Sequence, residues 1–232
     1  LPTATSLCFI GGTAIRIVYE NTRFSEDLDF DNFGLSYHKF EQLFHAILND
    51  MKWKGFLPEV KFVEKGAWHC HIRFPKILYK QGISPNTQEK VLIRIDTEQK
   101  EKSYQPRVYT LNRFGIYRNI LVAPSSILLA QKLLTILNRK REKGRDYYDI
   151  SYLLGLSMPD MDYMKKVKGI NKDVLSGQLK DAALKISDMV IKNHPNNVVF
   201  QKTRVRALYT LSQADPKYVS LALLAMQKAA QL

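Results

Sequence analysis

Apolar and polar positions along the first third of the chain change rhythm twice. Leu7 to Ile10 is a short apolar run that stops at Gly11-Gly12, and Thr13 to Tyr19 then follows helical spacing with the threonine as its cap. The pattern predicts a strand, a glycine turn and a helix. In the next run Leu28, Phe30 and Asn32 point to one face of a strand and Asp27, Asp29 and Asp31 to the other. Leu43, Phe44, Ile47, Leu48 and Met51 then recur at helical spacing from Phe40 up to the break at Lys54-Gly55, which predicts an amphipathic helix lying on a sheet.

Val60 to Val63, Trp68 to Phe74, Val91 to Asp96 and Val108 to Leu111 read as further strands, with Gly82 to Gln88 as a turn-rich connection. A helix starts at Pro124-Ser125-Ser126 and carries Leu128, Leu129, Leu133 and Ile136, and a second begins near Arg145 with Tyr148, Tyr152 and Leu153. After Gly155 no strand signal remains. Leu175 to Ile191, Val198 to Leu211 and Tyr218 to Ala230 read as helices broken at Pro195 and Pro216. The expected fold class is α+β, a mixed sheet flanked by helices over residues 1–123, with an α-helical C-terminal lobe over residues 124–232.

Composition narrows the class without changing this picture. The 232 residues are 45% hydrophobic, enough to fill a core. The two cysteines, Cys8 and Cys70, form neither a disulfide ladder nor a CxxC pair, which suits a reducing compartment. No apolar run approaches the length of a membrane helix, and the first residues lack a secretion signal, so a cytoplasmic protein without membrane contact is expected. The chain begins at Leu1, which leaves room for a native segment before it. The formal net charge of +13 fits two readings, attraction of nucleic acid or simple solubility. Its distribution is more informative. Residues 1 to 31 are acidic, with Glu20, Glu26, Asp27, Asp29 and Asp31, whereas Lys132 to Arg145 is densely basic. An acidic pocket in a basic protein suggests metal ions facing a phosphate-rich substrate.

Several residues carry candidate chemistry. A glycine pair between strand and helix lets a phosphate approach the backbone, and the helix N-terminus offers free N–H groups, although Gly-Gly also occurs as a plain tight turn. Asp27 and Asp29, at alternate strand positions, are close enough to share divalent cations; the plainer reading is a solvated acidic loop. Asp96, at the end of a neighbouring strand, either completes the metal shell or caps the turn into Thr97-Glu98. Lys132 stands on an otherwise apolar helix and needs a route to solvent or an anionic partner, for which a triphosphate would serve. Asp146 and Asp149 lie one turn apart on the next helix; Asp146 either orients Lys132 or the nucleotide, or forms an acidic cap with a surface salt bridge.

These motifs, in this order, resemble the AbiEii/MenT family of nucleotidyltransferase-like toxins within the polymerase-beta-type superfamily. The first signature stands as Gly11-Gly12-Thr13 followed by Arg23-Phe24-Ser25-Glu26-Asp27-Leu28-Asp29, and the second as Lys132, Arg139, Lys143 and Arg145-Asp146-Tyr147-Tyr148-Asp149. The likeness covers residues 7 to 154. It implies a helical lobe completing the active-site cleft, Mg²⁺ or Mn²⁺ on Asp27 and Asp29, and phosphates on Gly11, Gly12, Thr13, Arg23 and Ser25. It further implies that Lys132 contacts the triphosphate and Asp146 completes the catalytic set. The expected substrate is an NTP, the expected acceptor an RNA, the tRNA 3′ end above all, and the expected partner a cognate antitoxin.

The basic run Arg139, Lys140, Arg141, Lys143 and Arg145 is the candidate RNA contact. Two other functions compete. A nucleotidyltransferase acting on a small antibiotic-type acceptor would face cationic substrates, against which the net positive charge argues. A catalytically silent RNA- or antitoxin-binding module would have lost the carboxylates and the lysine that this chain retains.

Overall fold

The computed structural model of the chain describes residues 6–113, 115–140 and 143–185. It divides into two compact units, Leu1–Ala123 and Pro124–Leu232. The expected helices Val198 to Leu211 and Tyr218 to Ala230, and the end of Leu175 to Ile191, lie outside the described residues.

The first unit begins with β1 (Leu7–Ile10), which runs into α1 (Gly11–Val18), followed by β2 (Leu28–Asn32) and α2 (Tyr37–Trp53). Then come β3 (Glu59–Lys65), β4 (Ala67–Pro75), the single turn α3 (Ile77–Lys80), β5 (Lys90–Gln99), β6 (Arg107–Arg113) and β7 (Ile116–Val122). The strands form a seven-stranded sheet in the order β3-β4-β5-β2-β1-β7-β6. It is mixed: β2 runs parallel to β5 and β1 to β7, and the remaining pairs are antiparallel. The mixed sheet and its helices agree with the fold class read from the sequence.

Alternation along β4 shows how the sheet is covered. Trp68, Cys70, Ile72 and Phe74 are buried, and they share one core with Phe40, Leu43, Phe44 and Leu48 of α2. Each large side chain so buried contributes about 1.5–3 kcal/mol. The intervening His69, His71 and Arg73 stand half-buried on the opposite face. A second core under α1 joins Phe9, Ala14 and Val122 to Ile17 and Val18, and Leu28 and Phe30 of β2 touch both cores. With its apolar face turned to the helices, β2 turns its aspartates to the other face.

The structure adds three elements to those read from the pattern, α3, β7 and α6, and moves the start of α1. Strand β7 pairs with β6 across a turn at Gly115, whose φ of 71° suits glycine, but Arg118 and Asn119 interrupt the apolar rhythm that would have marked it. In the second unit α4 (Ser125–Asn138) and α5 (Gly144–Leu154) match the two expected helices, and α6 (Met161–Lys168) precedes α7 (Lys172–Lys185). Helix α6 is short and lysine-rich, yet Asp160 caps its start by accepting from the Tyr163 N–H and Gly169 ends it in the left-handed conformation. Helix α1 begins at Gly11 and not at Thr13, and Thr13 is not its cap, because the hydroxyl is spent on a longer-range bond.

Candidate active site

Helix α1 follows β1 without a loop, and its N-cap residue Ile10 has no side chain able to accept from the first N–H groups, which must find partners elsewhere. Gly11 has a φ of 75°, and a Cβ there would overlap the Asp29 carboxylate. A Cβ on Gly12 would overlap the Arg23 guanidinium and come within 2.7 Å of the Ser25 hydroxyl. Both glycines are therefore needed for close approach, and the turn is lined by Arg23, Ser25 and Asp29. Thr13 is buried, and its hydroxyl donates to the Asp27 carbonyl over 2.5 Å, tying the approach to β2 onto α1. Arg23 is held in turn, its own N–H on the Asn21 side chain and its guanidinium on the Phe24 carbonyl.

The carboxylates come together through sheet register. Ile10 pairs with Asp29, and Asp29 with Asp96 of the parallel neighbour β5, so the glycine turn, Asp29 and Asp96 occupy adjacent strands at one level. Asp27 directly precedes β2 and receives a two-point ion pair from Arg94, whose Nε and Nη2 lie 2.8 and 2.9 Å from its two oxygens. That bond holds the Arg94 guanidinium still more firmly in its charged form. Asp96 pairs with His69 Nδ1 at 2.8 Å. Asp31, on the same face of β2, takes no part: it is fully buried, with Lys100 Nζ at 2.7 Å and the Tyr104 hydroxyl at 2.6 Å.

Among the described residues no three His, Cys, Asp or Glu side chains are gathered as a ready metal cage. The donors present nevertheless fit magnesium. That ion takes hard oxygen ligands and is commonly held by one or two carboxylates plus substrate phosphates, and Asp27 and Asp29 stand beside the Gly11-Gly12 turn and the start of α1.

In the second unit α4 and α5 are joined by a buried ionic cluster. Lys132 Nζ lies 3.1 Å from Asp146 and 2.9 Å from Asp149, and Arg139 forms a second ion pair with Asp146. Both carboxylates are buried and Lys132 is only 15% exposed, so two positive and two negative charges offset one another in a region with little water. Asp149, which no role was expected for, is thus a direct partner of Lys132. Within the basic run Arg139 is occupied by Asp146, whereas Lys140, Lys143 and Arg145 are exposed and Arg141 lies outside the described residues. Arg94 and His69 were likewise absent from the expected site, because only strand register reveals that they meet Asp27 and Asp96.

A mixed sheet with a glycine turn at the start of α1 and acidic side chains on β2 and β5 is the framework of a nucleotidyltransferase domain. Over residues 2–188 the chain matches the family described as nucleotidyl transferase AbiEii toxin, type IV toxin–antitoxin system. It belongs to that family, whose transferase chemistry draws on NTP and a divalent metal and whose toxins are paired with antitoxins. Two Helicobacter pylori crystal structures share the fold. JHP933 is 19% identical, with 96% of this chain and 90% of that one covered and a TM-score of 0.54. The other, provisionally described as a nucleotidyltransferase, is 16% identical, with 99% and 90% covered and a TM-score of 0.53. At such identities the likeness is one of fold alone. No curated protein matches the chain. No helix among the described residues is long and apolar enough to cross a membrane.

Proposed function

We propose that this protein transfers a nucleotide from an NTP to an RNA acceptor, the 3′ end of tRNA above all, and that as a toxin it thereby blocks translation until its antitoxin intervenes. The observation that supports the reading is the closeness of the Gly11-Gly12 turn to Asp29, Arg23 and Ser25, which puts groups suited to phosphate beside a carboxylate suited to a metal ion.

In this reading the acceptor hydroxyl oxygen attacks the α-phosphorus, a new P–O bond forms, and the bond to the departing pyrophosphate breaks. The N–H groups of Gly11, Gly12 and Thr13, with Arg23 and Ser25, hold the β- and γ-phosphates. Thr13 contributes its backbone, since its hydroxyl serves Asp27. Asp27, Asp29 and Asp96 are the proposed metal ligands. Bound Mg²⁺ supplies charge neutralisation on the phosphate oxygens and a lowered pKa for the attacking hydroxyl. Lys132 and Asp146 are proposed for the same reaction, Lys132 as a cation and Asp146, with Asp149, as the groups that fix it. The net charge of +13 favours a polyanionic acceptor over a cationic small molecule.

Incubation with each labelled NTP, Mg²⁺ and total cellular RNA tests this directly. Label should enter an RNA band of tRNA size and be lost with Asp29→Asn. Label in the protein only, or in a small molecule, would remove RNA from the reading.

A further inference from the structure

Arg94 belongs to none of the motifs that define this family's resemblance, yet it makes a two-point contact with the Asp27 carboxylate. It lies on β5 two positions before Asp96, its side chain is 47% exposed, and its fork takes both oxygens of Asp27. Asp96 and Glu26 add to the negative field around it. No other cation is paired with the Asp27 carboxylate among the described residues. A carboxylate with both oxygens engaged by a guanidinium has only its remaining lone pairs to offer a divalent ion, whose charge the guanidinium opposes, so the two cations compete for one ligand.

We propose that Arg94 is an exchangeable counter-ion: it neutralises Asp27 while the divalent ion is absent, and moves onto the substrate triphosphate once the ion takes the carboxylate. This rests on reading Asp27 as a metal ligand. Three physical points support the exchange. A divalent ion on Asp27 repels the guanidinium that it replaces. The exposed head can move while the stem stays anchored on the strand. A triphosphate bound at the Gly11-Gly12 turn would offer a new anion, whose oxygens suit the planar fork as the carboxylate did. The consequence is thermodynamic coupling. Metal alone must displace Arg94 from Asp27, whereas metal with nucleotide gives Arg94 a new partner, so each ligand tightens the other by the same factor.

The test follows Mn²⁺ binding to the full chain by electron paramagnetic resonance without nucleotide. Binding of the Mn²⁺ complexes of the α,β-methylene analogues of ATP, CTP, GTP and UTP is then measured by calorimetry. Arg94→Ala should bind Mn²⁺ alone about fivefold or more tightly and the best analogue about tenfold or more weakly, so that the coupling collapses. Arg94→Lys should fall between, since one ammonium cannot engage both oxygens. Mn²⁺ affinity that is unchanged or lowered in well-folded Arg94→Ala and Arg94→Lys overturns the exchange. Asp27→Ala separates this failure from that of the site itself: if that variant binds Mn²⁺ as the wild type does, Asp27 is no metal ligand and both readings fall. If it loses Mn²⁺ while the Arg94 variants do not respond, the exchange alone is wrong.

Discussion

Gly11 lies so close to Asp29 that any side chain at position 11 would displace the carboxylate. A methyl group on Gly11 would meet the Asp29 carboxylate and would also force a left-handed backbone on a residue with a side chain. Gly11→Ala should therefore lower stability by about 1–3 kcal/mol and, by displacing Asp29, remove transfer activity. Thermal melts beside label transfer would check both, and a stable, active variant would separate the turn from the site. Asp27→Asn and Asp29→Asn should keep the fold and slow transfer about 10³-fold or more, each removing a proposed metal ligand and no core contact. The two thiols give a pH prediction of a different kind. Burial pushes Cys8 up to about 11, opposed in part by the Tyr104 hydroxyl, and pushes Cys70 up to about 12. Both are protonated in the folded chain at pH 8 and should react with a thiol reagent only after unfolding. Because their folded values are raised above the ordinary 9.0, the stability they confer is complete below about pH 9 and is lost as pH rises through about 11 to 12. Urea midpoints measured at pH 8 and 10.5 should fall in that order, and less steeply in Cys70→Ala.

Among elements, α4 and α5 depend on one another through charge as well as packing. Helix α4 carries Ile127, Leu128, Leu129, Leu133 and Leu134 into the core of the second unit, and α5 adds Ile150 and Leu153. Lys132 is placed against both Asp146 and Asp149. Lys132→Met leaves Asp149 without that cation in a buried position, and should cost about 3–5 kcal/mol by urea unfolding in addition to lost turnover. The double variant Lys132→Met with Asp149→Asn should recover part of the stability and none of the activity. A Lys132→Met variant as stable as wild type would mean that the carboxylates do not rely on the lysine. Strand β5 is the corresponding element of the first unit. It pairs with β4 on one side and β2 on the other, which is why a single strand brings Arg94 to Asp27 and Asp96 into register with Asp29.

For the whole molecule the excess of 13 positive charges sets the expected response to salt. Lys140, Lys143 and Arg145 are exposed, while Arg139 is committed to Asp146. Lys140→Ala and Arg145→Ala should each lower the slope of log affinity for tRNA against log salt by about 0.7–0.9. Arg139→Ala should act chiefly on stability, removing one of the cations paired with Asp146. Filter binding across a potassium chloride series reads the slopes, and urea unfolding reads the Arg139 effect. Slopes that ignore Lys140 and Arg145 would move the acceptor contact elsewhere on the chain.

The class of fold was legible because its signals are local. The run Leu7 to Ile10 ending at two glycines, the alternation through Asp27, Leu28 and Asp29, and the helical spacing of Leu43, Phe44, Ile47 and Leu48 each fix a backbone state within a few residues. The period of two also fixed the face of β2 on which its aspartates lie. Sequence pattern missed β7, where polar residues break the rhythm and pairing with β6 and β1 supplies what propensity does not. It could not separate Asp31, sealed by Lys100 and Tyr104, from Asp29, because both occupy the same face and only packing decides which one is covered. Nor could it join Arg94 to Asp27, 67 residues apart, or His69 to Asp96, 27 apart, or spend the Thr13 hydroxyl on the Asp27 carbonyl. The sequence by itself determined which residues could carry the chemistry and on which elements they stand. Tertiary structure decided which of their charges are already paired, since ion pairs and hydrogen bonds form between strands and helices whose register no local pattern specifies.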